Sequence, residues 1–181
     1  MFEIILGCMF SGKSSELQRR VKRSKSIKKK VLVVNHKSDS RYGTDAASIT
    51  HDFQAVAAIK VNKLAEIEHL FSEYDLVAID EAQFFDDLTL IKKYLMSTDF
   101  VIAALSSDSN MNSIGKTLEL IPCCNNVIYL QALCERCCQN SSHTRVTHAS
   151  FTKKRATTTT DIIDVGGKDK YYPVCRQCFM K

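Results

Sequence analysis

Six short apolar runs in the first 130 residues constrain the fold more than any other feature of this chain. They occupy residues 2–6, 30–34, 55–61, 76–80, 100–105 and 126–130. Most are apolar at nearly every position, as strands of a parallel sheet are when both faces are covered. Segments at about 14–27, 63–73, 87–97 and 114–121 carry apolar residues at the three- and four-residue spacing of helices. The alternation predicts an α/β fold with a doubly wound parallel sheet.

The character of the sequence changes after residue 130. Cysteine pairs flank a segment rich in Thr, Ser and Lys, with TTTT at 157–160, and this part of the sequence has no long apolar run. We therefore predict two units. Residues 1–130 would form the α/β domain, and residues 131–181 a small lobe with a long loop.

The first apolar run leads directly into a glycine-rich loop. Residues 7–14 read GCMFSGKS, which satisfies G-x-x-x-x-G-K-[ST] between a predicted strand and a predicted helix. In such a loop the backbone N–H groups surround an anion, and the helix N-terminus adds its positive dipole end. Lys13 is expected to reach the β- and γ-phosphates of a nucleotide, and Ser14 to ligate Mg²⁺. The predicted nucleotide-binding residues are Gly7, Cys8, Met9, Phe10, Ser11, Gly12, Lys13 and Ser14.

A second acidic element follows the fourth apolar run, in LVAIDEAQFF at 76–85. Asp80 is the carboxylate expected to hold Mg²⁺, directly or through water. Glu81 follows immediately, and adjacent side chains at a strand end point in different directions, so Glu81 can face a nucleophile. The alternative for Glu81 is an acid at a helix N-terminus, stabilised by the dipole. Because the chain also contains the glycine-rich loop, we favour a catalytic role for Glu81.

Eight cysteines in a chain of this size indicate metal binding rather than a secreted disulfide scaffold. Cys134 with Cys137, and Cys175 with Cys178, form two C-x₂-C pairs that can supply four thiolates to a tetrahedral Zn²⁺. The alternative is a set of unligated thiols, and Cys138 has no assigned role. Metal at both ends would close the intervening segment into a loop able to fold over an acceptor.

The net charge of +5 comes from one segment. Residues 19–30 contain eight Lys or Arg and no acid, and the rest of the chain carries 17 basic and 20 acidic residues. A contact with nucleic acid or polyphosphate would explain the run. We favour a solvated helix face, because no aromatic residues are interleaved and Leu17, Val21 and Ile27 form a thin apolar stripe.

Three classes of phosphate-transferring protein compete on the residues alone. A GTPase would need N-K-x-D, which NHKSD at 35–39 does not supply. A nucleic-acid motor would need more chain for its coupling elements. A small-molecule kinase needs only the phosphate loop, a base and a covered acceptor pocket, so the length favours it. A zinc-bearing nucleic-acid-binding NTPase remains the alternative.

The chain is expected to be soluble and cytoplasmic. No apolar run approaches the roughly 20 residues of a membrane span. Met1 leads into FEIIL without a basic segment or a cleavage site of the kind found in signal peptides.

Several motifs together resemble the type II thymidine kinases, which occur in cells and in large DNA viruses. They are GCMFSGKSSELQRRVKR, SRYG, THD, IDEAQFF, IAAL, the two cysteine pairs and GGKDKYYPVC, and the resemblance runs from about residue 3 to residue 180. It implies a RecA-like sheet, a zinc lobe with a lasso-like loop around thymidine, and a homotetramer. The implied reaction is ATP-dependent phosphorylation of the thymidine 5′-hydroxyl to give dTMP, without a membrane or nucleic-acid partner.

The resemblance also implies residue roles. Glu81 would take the proton of the 5′-hydroxyl, while Lys13 and a Mg²⁺ held by Ser14 and Asp80 would stabilise the developing charge. Near the ATP phosphates it implies Asp39, Ser40, Arg41 and Gln83. Around the deoxyribose and base it implies Met9, Phe84, Leu105, the lasso residues Ile162, Ile163, Asp164, Val165 and Gly166, and the aromatic contact Tyr171.

The sequence departs from the family pattern at three places. Cys8 replaces a common proline, and Ala82 replaces a frequent glycine. After IAAL the family commonly has Asp-Gly, a small residue and Phe, whereas this chain reads SSDSNMNSIG at 106–115, with Ser109 at the aromatic position. An aromatic wall is worth about 1 kcal/mol beyond its area. Its loss leaves three outcomes open: weaker thymidine binding, a shift towards another pyrimidine nucleoside, or compensation by Met111.

Overall fold

The computed structural model describes residues 1–39, 47–48, 56–139, 146–155 and 167–181. Five parts of the sequence-based site therefore lie wholly or partly outside the described residues. They are Ser40, Arg41, the SRYG and THD motifs, and the lasso residues 162–166.

A six-stranded parallel sheet forms the centre of the molecule. Its strands are β1 (Phe2–Gly7), β2 (Val31–His36), β5 (Ile59–Val61), β6 (Leu76–Ile79), β7 (Asp99–Leu105) and β8 (Asn126–Leu130). The order across the sheet is β5-β2-β6-β7-β1-β8. The predicted α/β fold is confirmed. The run at 55–61 is divided between two sheets, because β4 (Val56–Ala57) pairs antiparallel with β3 (Ala47–Ser48), whereas β5 joins β2.

Both faces of the inner strands β1, β2, β6 and β7 are buried, which explains their nearly continuous apolar runs, whereas the edge strand β8 is largely exposed. Successive residues of a strand point to opposite faces. On one face Ile5, Val33 and Ala78 pack against Leu17 and Val21 of helix α1 (Lys13–Ser26). On the other face Ile4, Leu6, Val34 and Ile79 pack against a second set of apolar residues, namely Leu64, Phe71, Phe85, Leu88, Ile91 and Leu120. Ile27, expected on the apolar stripe, lies beyond the end of α1 and is 69% exposed.

The described helices between β5 and β8 are 3₁₀ helices. Their bounds are Leu64–Glu66, Glu68–Glu73, Ala82–Phe84, Leu88–Tyr94 and Thr117–Cys123. Their backbone hydrogen bonds join residues three positions apart; for example, the Leu90 N–H donates to the Asp87 carbonyl at 2.9 Å. A spacing of three residues suits a 3₁₀ turn as well as an α-helix, so the apolar pattern does not separate the two. Pro122 also withholds one N–H donor from the last of them.

The C-terminal lobe consists of short elements. They are β9 (Ala132–Leu133), α2 (Glu135–Gln139), β10 (His148–Ala149), β11 (Phe151–Lys154), β12 (Tyr171–Val174) and α3 (Arg176–Met180). β9 pairs antiparallel with β10, and β11 with β12. Residue 131 separates β8 from β9, which is where the sequence suggests a domain boundary; that boundary stays a prediction. In the described part of the chain, no helix is both long enough and apolar enough to cross a membrane.

Candidate active site and metal centre

The glycine-rich loop joins β1 to α1 and has no space for side chains at its start. A Cβ at Gly7 would lie 2.4 Å from the Leu130 carbonyl oxygen and 2.5 Å from Ser11 Oγ. Gly12, just before α1, has φ +84°, a left-handed conformation that favours glycine. Phe10 also has a positive φ, of 64°. The loop therefore turns tightly at the carboxyl end of β1 and leads directly into α1.

Polar groups inside this loop are buried in a way that suits an anion. The Lys13 side chain is buried, and its Nζ donates to the Cys8 carbonyl at 2.8 Å. Ser11 Oγ is also buried and has no hydrogen-bond partner among the described residues. Ser14, half-buried, lies in the first turn of α1. A buried ammonium, a buried hydroxyl and a helix N-terminus together fit the phosphates of a nucleotide.

The two adjacent carboxylates lie at the same edge of the sheet. Asp80 follows β6 directly, and both Asp80 and Glu81 are buried. The Asp80 carboxylate accepts the Glu81 N–H at 3.0 Å. Glu81 has φ 51° and ψ 40°, a left-handed conformation that costs a non-glycine residue about 1–2 kcal/mol. Only β7 separates β6 from β1 in this parallel sheet, so the carboxylates and the glycine-rich loop occupy neighbouring strand ends.

The site offers oxygen donors for Mg²⁺. The Ser14 hydroxyl, in the first turn of α1, and the Asp80 carboxylate, after β6, are the hard oxygen ligands that Mg²⁺ prefers. The donor set therefore fits this ion.

Gln83 is held at both ends of its side-chain amide. Its Nε2 donates to the Glu81 carboxylate at 2.5 Å, and its Oε1 accepts the Leu105 N–H at 3.0 Å. The sequence-based role of Gln83 on the nucleotide side stays a prediction.

Other predicted site residues are placed around these strand ends. Met9 is buried, and its N–H donates to Thr152 Oγ1 at 3.0 Å. Asp39 is buried and follows β2, where its N–H donates to the His36 carbonyl at 3.0 Å. Phe84 is half-buried, with its ring 5.8 Å from that of His36.

The remaining predicted pocket residues belong to β12, to β7 and to the segment after β7, and Leu105 pairs with Gly7 in the sheet. Tyr171 is buried at the start of β12, and Leu105 is half-buried at the end of β7. Ser109 lies in a turn organised by Asp108, whose Oδ1 accepts the N–H groups of Asn110 and Asn112 at 2.8 Å each. Met111, the residue considered as a replacement for the aromatic, is 39% exposed.

Four cysteines converge in the C-terminal lobe. The Sγ atoms of Cys134, Cys137, Cys175 and Cys178 all lie within 4.8 Å of one another. Two of the separations are 3.6 Å, from Cys137 to Cys178, and 3.9 Å, from Cys137 to Cys175. A tetrahedral site with Zn–S bonds of about 2.3 Å has edges of about 3.8 Å. The arrangement therefore fits Zn²⁺, and the exposed thiol of Cys138 is outside it.

The pKa values of Cys134 and Cys178 are shifted in opposite directions. Desolvation raises the pKa of Cys134, but hydrogen bonds with the Cys175 and Cys137 backbone outweigh it and lower that pKa to about 7. Desolvation and the neighbouring thiols raise the pKa of Cys178 to about 12. A first thiolate forms readily and then opposes a second, which is the expected behaviour of a thiolate cluster without a cation.

Comparisons with known proteins assign the chain to a family. It matches the family described as "TK: Thymidine kinase" over residues 1–179. It is 36% identical to the thymidine kinase of Choristoneura fumiferana entomopoxvirus, covering 98% of this chain and 95% of that protein. The chain belongs to the thymidine kinase family.

Other comparisons differ in strength. The thymidine kinase of Yaba monkey tumor virus is 39% identical over 98% of this chain and 93% of its own length. A solved structure of a DNA replication initiation factor is 14% identical, with a TM-score of 0.42 over 71% of this chain and 39% of that one. The structural likeness carries no argument about this thymidine kinase family member.

Two contacts in this thymidine kinase family member have no signal in the sequence. Thr152 of β11 holds the Met9 N–H from 143 residues away. Gly115 has φ 62°, and a Cβ there would lie 2.2 Å from the Gln83 carbonyl oxygen. Both contacts join segments far apart in the chain, so only the folded structure identifies them.

Proposed function

We propose that this protein transfers the γ-phosphoryl group of ATP to the 5′-hydroxyl of thymidine and produces dTMP and ADP. The observation that carries the proposal is the convergence of a glycine-rich loop containing buried Lys13 with buried Asp80 and Glu81 at one sheet edge. Membership of the thymidine kinase family supports the choice of acceptor.

In this proposal Glu81 is the general base. Its carboxylate takes the proton of the 5′-hydroxyl as that oxygen attacks the γ-phosphorus in line. The new O–P bond forms while the bond from the γ-phosphorus to the β–γ bridging oxygen breaks, and ADP leaves with the electron pair. The buried position of Glu81 keeps water away from the proton that it accepts.

The remaining residues at this edge hold the phosphates. Lys13 places its ammonium group beside the transferred group, and the backbone of residues 7–12 surrounds the β-phosphate. Ser14 and Asp80 would hold Mg²⁺, which when bound supplies positive charge to the phosphate oxygens. Asp39, Ser40 and Arg41 complete this side in the proposal.

The acceptor pocket combines the sheet and the lobe. Met9, Phe84, Leu105 and Tyr171 would surround the deoxyribose and base, with the backbone of residues 162–166 reading the base. Ser109 stands at the position where the family pattern has an aromatic. Selectivity among pyrimidine nucleosides is therefore the property in which we expect this protein to differ most from the family pattern.

The four clustered cysteines would hold a structural Zn²⁺, which would close the segment between them at its base. By family resemblance the protein would be a homotetramer. A cytoplasmic location suits free thiols, because that compartment keeps them reduced.

The alternative, a zinc-bearing nucleic-acid-binding NTPase, is less well supported. The described part of the basic segment is partly neutralised, because Arg19 and Arg20 both contact Glu16, at 2.7 and 2.9 Å. Lys29 likewise contacts Asp99 at 2.9 Å. Fewer of these charges are left for phosphate contacts than the sequence suggests, and family membership does not favour this alternative.

The test is a coupled assay of ADP release with Mg²⁺, ATP and one nucleoside at a time. Thymidine, deoxyuridine, deoxycytidine and deoxyguanosine form the panel, with single-stranded DNA in a separate reaction. Turnover with thymidine well above the others supports the proposal. Comparable rates for all pyrimidines would mean that residues 106–115 have widened the pocket, and stimulation by DNA alone would overturn the kinase proposal.

Glu81→Gln tests the base. Turnover is expected to fall by at least about 10², because the amide cannot accept the proton, while ATP affinity is retained. Asp86→Asn, at an exposed acid nearby in sequence, is the control with unchanged turnover. Near-normal turnover of Glu81→Gln would refute the assignment of Glu81.

A further inference from the structure

We propose that Gln83 is a positioning residue, which fixes the Glu81 carboxylate and couples it to the segment of residues 106–115 after β7. The inference rests on the proposed function, since it assumes that Glu81 is the base. It gives Gln83 a role through Glu81 rather than through a contact with the nucleotide.

The contacts of the Gln83 amide define its orientation. The side chain is 4% exposed, so its amide depends on protein partners. The Leu105 backbone N–H can only donate, and it lies 3.0 Å from Oε1. The oxygen of the amide must therefore face Leu105, which leaves the NH₂ group for the Glu81 carboxylate at 2.5 Å. The backbone at the end of β7 thus sets the position of the amide group that donates a hydrogen bond to the Glu81 carboxylate.

Glu81 needs such a partner because of its backbone. Its left-handed conformation lies two residues after the end of β6, so the extended strand does not continue to define its direction. A side chain with three rotatable bonds at a strained position can point in several directions. The Gln83 amide selects one of them, and a misplacement of the base by about 1 Å can cost about 10²-fold in rate.

The same glutamine touches both ends of the segment that departs from the family pattern. Leu105 lies immediately before residues 106–115, and Gly115 ends them against the Gln83 backbone. Gly115 has no space for a Cβ, because that atom would lie 2.2 Å from the Gln83 carbonyl oxygen. A change of conformation in the segment would therefore be transmitted to Gln83 and through it to Glu81.

A double-mutant cycle tests the inference on the full-length protein. Gln83→Met keeps the length of the side chain and removes both amide contacts. We expect kcat to fall about 10- to 100-fold, with the KM for ATP changed less than about twofold. In a Glu81→Gln background, Gln83→Met should cause no further loss of kcat, because residues that act as a unit are not additive. Gln131→Met is the matched control, since its amide also donates a hydrogen bond, to Ser150 at 2.7 Å, on the surface.

Gln83→Glu separates the two contacts and serves if Gln83→Met fails to fold. It retains an acceptor for the Leu105 N–H but places a carboxylate where Glu81 needs a donor, so it should lower kcat as strongly as Gln83→Met. Three results would overturn the inference: near-normal kcat in a folded Gln83 variant, an equal further loss in the Glu81→Gln background, or a large rise in the KM for ATP alone. Near-normal turnover of Glu81→Gln by itself would instead refute the base assignment made in the proposed function, and the positioning role would fall with it.

Discussion

The parallel sheet and the C-terminal lobe are ordered by different means. In the sheet, strands such as β1 and β7 are buried on both faces by apolar side chains from α1 and the 3₁₀ helices. Among the residues that the structure describes, the buried apolar cluster of the lobe consists of Cys8, Ala132, Cys134, Ala149, Tyr172 and Val174. One of these belongs to the glycine-rich loop and another to the cysteine cluster. The sheet thus has its own hydrophobic core, whereas the apolar cluster of the lobe is smaller and is shared with the glycine-rich loop and with the four clustered cysteines.

The two regions meet at the glycine-rich loop. Cys8 Sγ donates to the Ala149 carbonyl at 3.3 Å, and the Met9 N–H donates to Thr152 Oγ1 at 3.0 Å. The cysteine that replaces the common proline is therefore part of the junction, and burial raises the pKa of its thiol. Disturbing the lobe should reach the phosphate site through these two contacts.

Metal removal should separate the two regions most clearly. We expect a chelator to unfold the lobe but leave the sheet folded, because structural zinc sites contribute about 10–16 kcal/mol that a small apolar cluster cannot replace. Hydrogen exchange followed by mass spectrometry should show loss of protection at 146–155 and 167–181 and retained protection in β1 and β7. Cys138→Ser, outside the cluster, should keep one zinc per chain. A lobe that stays protected without metal would contradict the comparison.

A cavity in the sheet core should have the opposite effect to metal removal: it should destabilise the sheet and leave zinc binding by the lobe unchanged. Ile102 is fully buried in β7, and Ile102→Ala is expected to lower the free energy of unfolding by about 2–5 kcal/mol. Urea unfolding measures this loss, and zinc content of the folded variant should be unchanged. Ile121→Ala, at a 39% exposed position, should change stability by less than about 0.5 kcal/mol. Equal effects of the two substitutions would mean that the sheet core is not the main source of stability.

The junction can be tested with two matched threonines. Thr152→Val leaves the buried Met9 N–H without its acceptor, and should cost about 1–3 kcal/mol and raise the KM for ATP. Thr98→Val removes a similarly buried hydroxyl that donates to the Phe71 carbonyl at 3.0 Å within the α/β domain. Both substitutions should destabilise the protein, but only Thr152→Val should raise the KM for ATP. The comparison of regions would be wrong at this point if both variants kept the same KM.

The smallest effect is expected at a partly exposed ion pair of the sheet. Desolvation raises the pKa of Asp99, but hydrogen bonds from the Met1 amino group and Lys29 lower it by more, so the pKa of Asp99 lies below its usual range. A lowered pKa in the folded state stabilises the protein above the unfolded pKa, and this stabilisation is lost as the pH falls through the folded pKa.

Asp99→Asn should therefore cost about 0.5 kcal/mol near neutral pH and progressively less towards about pH 3, allowing for solvent screening. Thermal or urea unfolding at the two pH values measures the difference. A cost that grows on acidification would contradict this sign.

The strands were predictable to within two residues where each run serves one sheet. Residues 76–79 and 100–104 are apolar throughout because both faces of these strands are buried, and this burial is visible in sequence. The 3₁₀ helices were not predictable as such, because three-residue apolar spacing suits both helix types. Ile27 was misplaced on the apolar stripe, since α1 ends one residue before it.

The candidate site divides in the same way. The sequence alone determined which residue types stand around Lys13, around Asp80 and Glu81, and in the two cysteine pairs. These types predict phosphate, Mg²⁺ and Zn²⁺ binding, because each of those ligands requires particular donor atoms. Only the tertiary structure decided that Gln83 holds Glu81 from the end of β7 and that Thr152 holds the phosphate loop. Those contacts join backbone and side-chain groups 22 and 143 residues apart, and such pairing depends on strand order, which no local pattern encodes.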